Sequence, residues 1–423
     1  MDEVAVVTVF LRHRGEVLLL RRSAEVDSYP GQWGAVTGHI SDDTPQTAAL
    51  REIEEETGLQ EQDVTLAKTG LSFPVEDAER GTRWVVHPFL FDCSTREVSL
   101  NWETDDSEWV PPTALLRRDT VPELWTAYRR VAPSVVDLSD DTTHGSAYLS
   151  VRALEVLRDR AGQLATAEAD DVEDARTRVL RTAARLLDAR PTMAALANRV
   201  HRVLHDAAPD RSPADVESRA HQAIAQALDA EAAAAQAAAD VVSDHRVLTL
   251  SRSSTVAAAL REGTPDSVIV ATSHPGGEGI GVAEALAEEE QAVTLLPDAA
   301  VAARLAEGDI DLVLVGADTV FPSGALVNKV GTRSVALAAA HEDVPLYATC
   351  SVDKVAPSPH RPAEWAERHD VYDGPARLGV WAPRFDTTPG PLLTGGVVTE
   401  RGVVPPEAIT SIAEEMETLR DWE

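Results

Sequence analysis

Three glutamates, Glu52, Glu55 and Glu56, fall at i, i+3 and i+4 within Arg51-Glu-Ile-Glu-Glu-Glu-Thr-Gly-Leu59. On a helix that spacing puts three carboxylates on one face. Carboxylates that close repel one another unless a cation neutralises them, and hard oxygen ligands suit Mg²⁺ or Mn²⁺. Arg51, four residues before Glu55, is placed to hold that carboxylate. Gly58 supplies the residue able to take φ > 0 that ends such a helix. The alternative is a solvated acidic face on a chain that is acidic throughout.

A second set of polar residues lies far downstream. Short β-branched or Leu-rich runs at 247–250, 267–272, 292–297, 312–317 and 346–350 alternate with helical stretches, the pattern of a doubly wound parallel sheet. Ligands of such sheets bind beyond the carboxyl ends of the strands. The residues just after the runs are therefore the candidates: Ser251, Arg252, Ser253 and Ser254, then Ser273 with His274, then Asp298 and Asp318. Gly277, Gly279 and Gly281 do not make a dinucleotide fingerprint, because they follow the second run of the unit and their spacing is wrong.

The elements that must position the glutamates come first in the chain. Runs 4–11, 16–20, 64–70, 84–92 and 96–100 read as strands, with a short one at 35–37 and a closing one at 108–110. Tyr29-Pro-Gly-Gln-Trp-Gly34 is a turn-rich loop, and a helix is expected near 121–131. Trp33 is either a loop or core anchor or a surface on which a base stacks. Arg21 and Arg22 either meet phosphates or pair with neighbouring acids. Residues 132–146 are polar, turn-rich and without periodicity, which marks a boundary. From 147 to 242 the pattern is helical. The Ala-rich run 230–241 continues it, since Ala is the best helix former and the flanking spacing is amphipathic.

Composition limits the possibilities. A length of 423 residues suggests two or three domains. Acidic residues outnumber basic ones 70 to 38, for a formal charge of −32, which disfavours nucleic acid and anionic membrane as partners. Lys occurs only at positions 68, 329 and 354. High acid with scarce Lys suggests a protein adapted to molar salt, where screening removes the mutual repulsion. An acidic protein from a GC-rich genome is the alternative. Cys93 and Cys350 are too few for a disulfide framework or a thiolate metal site. The start lacks a basic n-region and no apolar run approaches membrane-spanning length, so a cytoplasmic protein is expected.

The segment from Arg51 to Leu59 resembles the core of the Nudix box, Arg-Glu-apolar-x-Glu-Glu-x-Gly-apolar, with every specified position filled. Gly38 resembles the box's leading Gly, one residue closer to Arg51 than the pattern has it. Asp43 stands where the family carries a glutamate. The resemblance implies an α/β/α sandwich around a mixed sheet over 1–134. It further implies that Gly38, Glu52, Glu55 and Glu56 hold Mg²⁺ or Mn²⁺, and that Arg51 and the glutamates are catalytic.

Downstream, Gly316-Ala-Asp-Thr-Val-Phe-Pro-Ser-Gly-Ala-Leu-Val-Asn-Lys-Val-Gly-Thr332 is similar to the signature of a second superfamily. It holds the initiation factor 2B α/β/δ subunits and two sugar-phosphate isomerases. Arg190-Pro-Thr192, Phe385-Asp-Thr-Thr-Pro389 and Thr399-Glu-Arg-Gly402 fit the same family. This resemblance implies a helical subdomain over 145–242 and a Rossmann-like domain over 243–423, with assembly into a homo-oligomer through the latter. It implies Asp318 as half of an acid–base pair, with Asn328 and Lys329 lining the ligand pocket. Ser251 stands where the isomerases carry a catalytic Cys, and a hydroxyl is a poor acid–base group near neutrality. His274 stands where they carry an Arg for phosphate.

The expected function is a Mg²⁺-dependent Nudix hydrolase that cleaves a pyrophosphate bond in a nucleoside diphosphate derivative. Its C-terminal module is expected to bind a sugar phosphate or nucleotide without isomerising it. The alternatives are a regulatory protein of initiation-factor-2B type and a bifunctional hydrolase and isomerase.

Overall fold

The computed structural model describes residues 2–41, 44–167, 172–359 and 363–422, and the chain divides into two compact units. One comprises 1–138, 152–184 and 209–225, the other 139–151, 185–208 and 226–423. The helical stretch expected over 145–242 is thus shared between them.

The first unit is built on strands β1 (Asp2–His13), β2 (Glu16–Arg22), β3 (Trp33–Gly34) and β4 (Val36–His39), joined by β5 (Val64–Thr69), β6 (Phe73–Asp77), β7 (Thr82–Cys93) and β8 (Thr104–Val110). They form one mixed sheet in the order β3-β2-β1-β7-β5, with β4 on β1, β6 on β7 and β8 on β2. The β1–β7 pair is parallel and the others are antiparallel. Strand periodicity sends alternate side chains to opposite faces. Val7, Val9, Leu11, Leu18 and Leu20 meet Ala48, Ala49 and Ile53 of helix α1 (Pro45–Thr57). Phe10, Val17 and Leu19 meet Leu124, Ala127, Tyr128 and Val131 of α2 (Leu124–Val131). A sheet covered on both faces explains why β1 and β2 are almost continuously apolar.

One expected strand is absent and one strand was not expected. Residues 96–100 are not a strand: the Ser99 N–H donates to Thr57 O (2.7 Å) at the end of α1, so its hydrogen bond goes to a helix terminus rather than a ladder. Strand β6 contains Pro74, which hides it in the sequence. Pairing only with β7 places it at an edge, where a missing N–H is tolerated.

Helices α3 (Val135–Asp140), α4 (Ser146–Thr166), α5 (Val172–Ala189), α6 (Ala194–Asp206) and α7 (Pro213–Val242) follow. The Ala-rich run is the end of α7, with Ala234, Ala235, Ala238 and Ala239 buried. Within the first unit, α4 contributes a buried ionic network. Arg12 pairs with Glu155 (3.0 Å) and Asp92 (2.6 Å), and Arg158 donates to Gly15 O (2.5 Å). Asp159 accepts from Tyr128 Oη (2.8 Å) and Arg158 Nε (2.8 Å).

The second unit carries a sheet of β9 (Arg246–Leu250), β10 (Ser267–Ala271), β11 (Val293–Leu296), β12 (Leu312–Gly316), a strand at Leu346–Thr349 and a hairpin at Gly396–Thr399 and Gly402–Val404. Its order places β9 between β10 and β12, so the chain winds outwards both ways from that point. All neighbours are parallel except the last hairpin. Helices Ser254–Gly263 and Glu278–Glu288 pack on one face, and Thr332–His341 and Ile409–Thr418 on the other. A small separate sheet joins Thr319–Val320, Leu326–Lys329 and Phe385–Thr388. None of the described helices is long and apolar enough to cross a membrane.

Removing one member of a buried ion pair costs about 3–5 kcal/mol, because the partner charge stays buried. Glu155→Ala strips a carboxylate from Arg12, which is only 3% exposed. The expected result is a loss of roughly 3 kcal/mol in urea unfolding followed by circular dichroism. A midpoint within error of the parent chain would show the network to be energetically idle.

Candidate functional site

Helix α1 is set by its two ends. Thr44 Oγ1 accepts from Thr47 N (3.2 Å), Pro45 opens the helix, and Gly58, at φ 73°, donates its N–H to Glu54 O (2.9 Å). Burial of Ala48, Ala49 and Ile53 fixes the rotation of the helix, and that turns Glu52 and Glu55 into a cleft of about 500 Å³. Strand β4 forms another wall with Thr37, Gly38 and His39, and Arg22, Ser28, Tyr29, Trp84, Trp102 and Glu103 also line the cleft.

Gly38 has a positional role. A Cβ there would lie 1.9 Å from Glu52 Cδ, so the glutamate side chain occupies the space a larger residue would fill. Glu56 is buried, and its carboxylate accepts from Thr37 N (3.1 Å). Burial pushes the Glu56 carboxyl up to about 8 against that hydrogen bond, with Glu103 and Glu52 adding to the rise and Arg22 opposing it. Glu52 is raised too, first by burial, then by Glu55 and Glu103, with Arg51 working against them.

Sequence alone put Arg51 on Glu55. The structure puts its guanidinium 3.0 Å from Glu52 Oε1 and 3.2 Å from His39 O. Among the described residues no three carboxylate, His or Cys groups already converge as a metal cage. Glu52 lies against Gly38, Glu56 turns to Thr37, and Glu55 stays exposed at the cleft. The residues suit a divalent cation, since Glu52, Glu55 and Glu103 share a cleft with a backbone bared by Gly38, and Glu56 is buried behind Thr37. Asp43 lies outside the described residues.

Glu103 is the functional candidate that sequence reasoning missed. It sits in an irregular loop without a motif, and its only signal was an acid beside Trp102 ahead of the closing strand. Trp33 resolves to the anchor role: it packs against the α2-side core and carries Arg118 stacked 4.7 Å from its ring. Arg22 lines the cleft, with its Nε on Ser28 O (2.7 Å), whereas Arg21 Nε donates to Gly31 O (3.3 Å).

In the second unit the expected residues collect beyond the strand ends. Ser251, at φ 66°, donates its N–H to Ser273 Oγ (2.6 Å), and the N–H groups of Ser273 and His274 both donate to Asp298 (2.7 Å each). Arg252 donates to Thr143 O, Ser253 Oγ caps the following helix at Val256 N (3.3 Å), and Ser254 is that helix's first residue. Lys329 is buried, with Nζ on Pro275 O (2.6 Å) and Glu278 Oε1 (2.5 Å). Asn328 Nδ2 donates to Thr332 Oγ1 (3.1 Å), and Asp318 N donates to Val327 O (3.0 Å). A cavity of about 360 Å³ opens beside them, lined by Leu250, Ala271, Asp298, Gly331 and Ser334 among others. It takes in Asp298 but none of the eight residues expected to bind ligand. Lys354, unassigned from sequence, is buried with Nζ on Ala317 O (2.8 Å), next to Asp318 in the chain. Cys350 is fully buried and its thiol is pushed up to about 12, so it stays protonated.

Comparison with known proteins finds two families one after the other along the chain, and the second match takes in helices from both compact units. A family model described as "NUDIX domain" matches residues 1–131, and one described as "Initiation factor 2 subunit family" matches 142–406. The ribose 1,5-bisphosphate isomerase of Haloterrigena turkmenica is 30% identical, covering 69% of this chain and 98% of that protein. Two solved structures share the fold. The Pyrococcus horikoshii translation initiation factor eIF-2B is 24% identical with a TM-score of 0.54, over 64% of this chain and 95% of that one. The 5-methylthioribose 1-phosphate isomerase of the same organism is 19% identical with a TM-score of 0.54, over 74% and 90%.

Gly38→Ala is the sharpest probe of the first cleft. The added methyl meets the mobile end of Glu52 rather than backbone, so the fold should tolerate it while the carboxylate moves away. The expected result is Mn²⁺ binding, followed by electron paramagnetic resonance, weakened about tenfold or more with little change in the unfolding midpoint. Unchanged Mn²⁺ affinity would remove Gly38 and Glu52 from the cation site.

Proposed function

The chain belongs to the initiation factor 2 subunit family and carries a NUDIX domain ahead of that module, and from this premise we propose a function for each part. The N-terminal part is a Mg²⁺- or Mn²⁺-dependent hydrolase that cleaves the pyrophosphate bond of a nucleoside diphosphate derivative. The observation that carries this reading is the cleft where Glu52, Glu55 and Glu103 gather beside Gly38. Glu52, Glu55 and Glu56, with the Gly38 backbone, would hold the cation. When bound, it neutralises the diphosphate and makes a nearby water more acidic. Arg51 orients Glu52, and Arg22 faces the phosphates from across the loop. Glu103 takes the proton of the attacking water. The water oxygen bonds to one phosphorus, the bridging P–O bond breaks, and two monophosphates leave.

The C-terminal part is a binding module for a sugar phosphate or nucleotide. The cavity at the strand ends supports this, as does the relative named for ribose 1,5-bisphosphate. Ser251 in the place of a thiol and the protonated, buried Cys350 favour binding over turnover. Ser251, Arg252, Ser253, Ser254, His274, Asp318, Asn328 and Lys329 stand around the strand ends beside that cavity without lining it, and ligand contact by them is part of the proposal. Self-association through this part belongs to the same reading, since edge strand β11 and helix Thr332–His341 leave Leu295 and Leu337 standing out to solvent. A second reading, a bifunctional hydrolase and isomerase, is favoured by the fact that the match spans 98% of that isomerase.

Purified protein in molar KCl with Mg²⁺ should release phosphate-containing products from some member of a panel of nucleotide sugars, dinucleoside polyphosphates and nucleoside triphosphates. Glu55→Gln should lower that rate at least about 100-fold with the circular dichroism spectrum intact. Failure of every panel member would end the hydrolase reading. Isomerisation of ribose 1,5-bisphosphate that Asp318→Asn abolishes would replace the binding-module reading with the bifunctional one.

A further inference from the structure

Helices α2, α4 and α5 bring three arginines of the first unit close to one another. Arg129 is exposed in the last turn of α2, Arg160 stands half-buried on α4, and Arg178 is on α5. Tyr128 Oη donates to Asp159 (2.8 Å), so α2 and α4 are joined at the residues just before Arg129 and Arg160. On α5, Ala175, Val179 and Ala183 are buried at i, i+4 and i+8, which turns Arg178 towards solvent. Burial holds the Arg160 guanidinium below the ordinary arginine range, and the positive charges of Arg178 and then Arg129 lower it further.

The chain does not answer these charges. Arg160 Nη1 donates to the neutral Gln163 Oε1 (2.8 Å). Arg178 has Asp174 at 3.8 Å, an exposed pair one turn apart on the same helix, and such a pair contributes little. Among the described residues no carboxylate lies in salt-bridge range of Arg129 or Arg160. The arginines beside them are committed elsewhere: Arg130 donates to Leu71 O (3.2 Å) and lies over Phe73, and Arg158 donates to Gly15 O (2.5 Å). In a chain with 70 acidic residues against 38 basic ones, three arginines without a matching carboxylate are an exception. A guanidinium fork fits the oxygens of phosphate and carboxylate and keeps its charge at any working pH. One carboxylate would leave two of the three charges unmet, whereas a pyrophosphate-type anion meets them all. The formal charge of −32 limits the size of that anion, because an extended polyanion would run onto acidic surface beyond the three helices.

We propose that Arg129, Arg160 and Arg178 form a binding site for a compact, multiply charged phosphate anion. None of the three lines the glutamate cleft, so the site is separate from it. The anion bridges α2 to α4 and α5. Helix α2 falls in the NUDIX match, and α4 and α5 fall in the initiation factor 2 subunit match. The bound anion therefore ties segments of the two families together inside the first unit, where the like charges alone oppose that contact.

The test titrates inorganic pyrophosphate calorimetrically into the full chain, at constant ionic strength in KCl with EDTA, which keeps divalent cations away from the glutamates. The parent chain should bind it, and Arg160→Gln and Arg129→Gln should each weaken binding about tenfold or more. Arg129 is exposed, so its replacement leaves the packing untouched and carries the test should Arg160→Gln not fold. Arg160→Lys should fall between, since an ammonium keeps the charge but loses the fork. Glu55→Gln should bind as the parent does. Pyrophosphate should also raise the thermal unfolding midpoint of the parent chain, and the Gln variants at 129 and 160 should lose that rise. No binding beyond that of KCl at the same ionic strength, or unchanged affinity in those Gln variants, would overturn the proposal. So would an equal loss in Glu55→Gln, which would place the anion in the cleft. Equally tight binding of a single-stranded oligonucleotide would overturn it as well, by showing that compactness plays no part.

Discussion

Burying Glu52 and Glu56 beside Glu103 puts like charges into a space that Arg22 and Arg51 only partly balance. The rest of the first unit keeps that arrangement in place. The double-faced sheet fixes α1 through Ile53 and the alanines, α1 fixes the direction of the glutamates, and β4 brings Gly38 and Thr37 up to meet them. Without the Thr37 N–H, burial of Glu56 would go entirely uncompensated by the backbone. Without the missing side chain of Gly38, Glu52 could not lie where it does.

The second unit shows the opposite arrangement. Arg199 is buried against Asp353 (2.8 Å) and Glu231 (3.0 Å), Arg202 reaches Asp353 (2.6 Å), and Lys329 reaches Glu278 (2.5 Å). Charges here are matched within the protein, and burial of the Cys350 thiol keeps it neutral. Any ligand that reaches for these groups must compete with the partners they already have.

Much of the fold was legible because it rests on period and end signals. The end of α1 follows from Gly58, and the doubly wound sheet follows from runs such as 247–250 and 312–317. Legibility failed where a hydrogen bond or a neighbour outweighed local preference. Residues 96–100 have strand composition, but the Ser99 N–H goes to the end of α1. Pro74 argues against a strand, yet an edge position makes it harmless. Trp33 and Trp102 look alike in the sequence, and only packing made the first an anchor and left the second in the cleft.

The sequence by itself determined which residues could do chemistry, because helix and strand periods fix which side chains share a face. It placed Glu52, Glu55 and Glu56 together, and put Ser251, His274 and Asp318 at strand ends. The tertiary structure decided how those groups are used. Burial raised Glu56, contact with Gly38 seated Glu52, Arg51 came within 3.0 Å of Glu52, and Glu103 arrived from a loop about fifty residues downstream. Periodicity is a property of neighbours along the chain and can be read from it. Desolvation and long-range charge depend on what the fold brings near, and no local pattern records them.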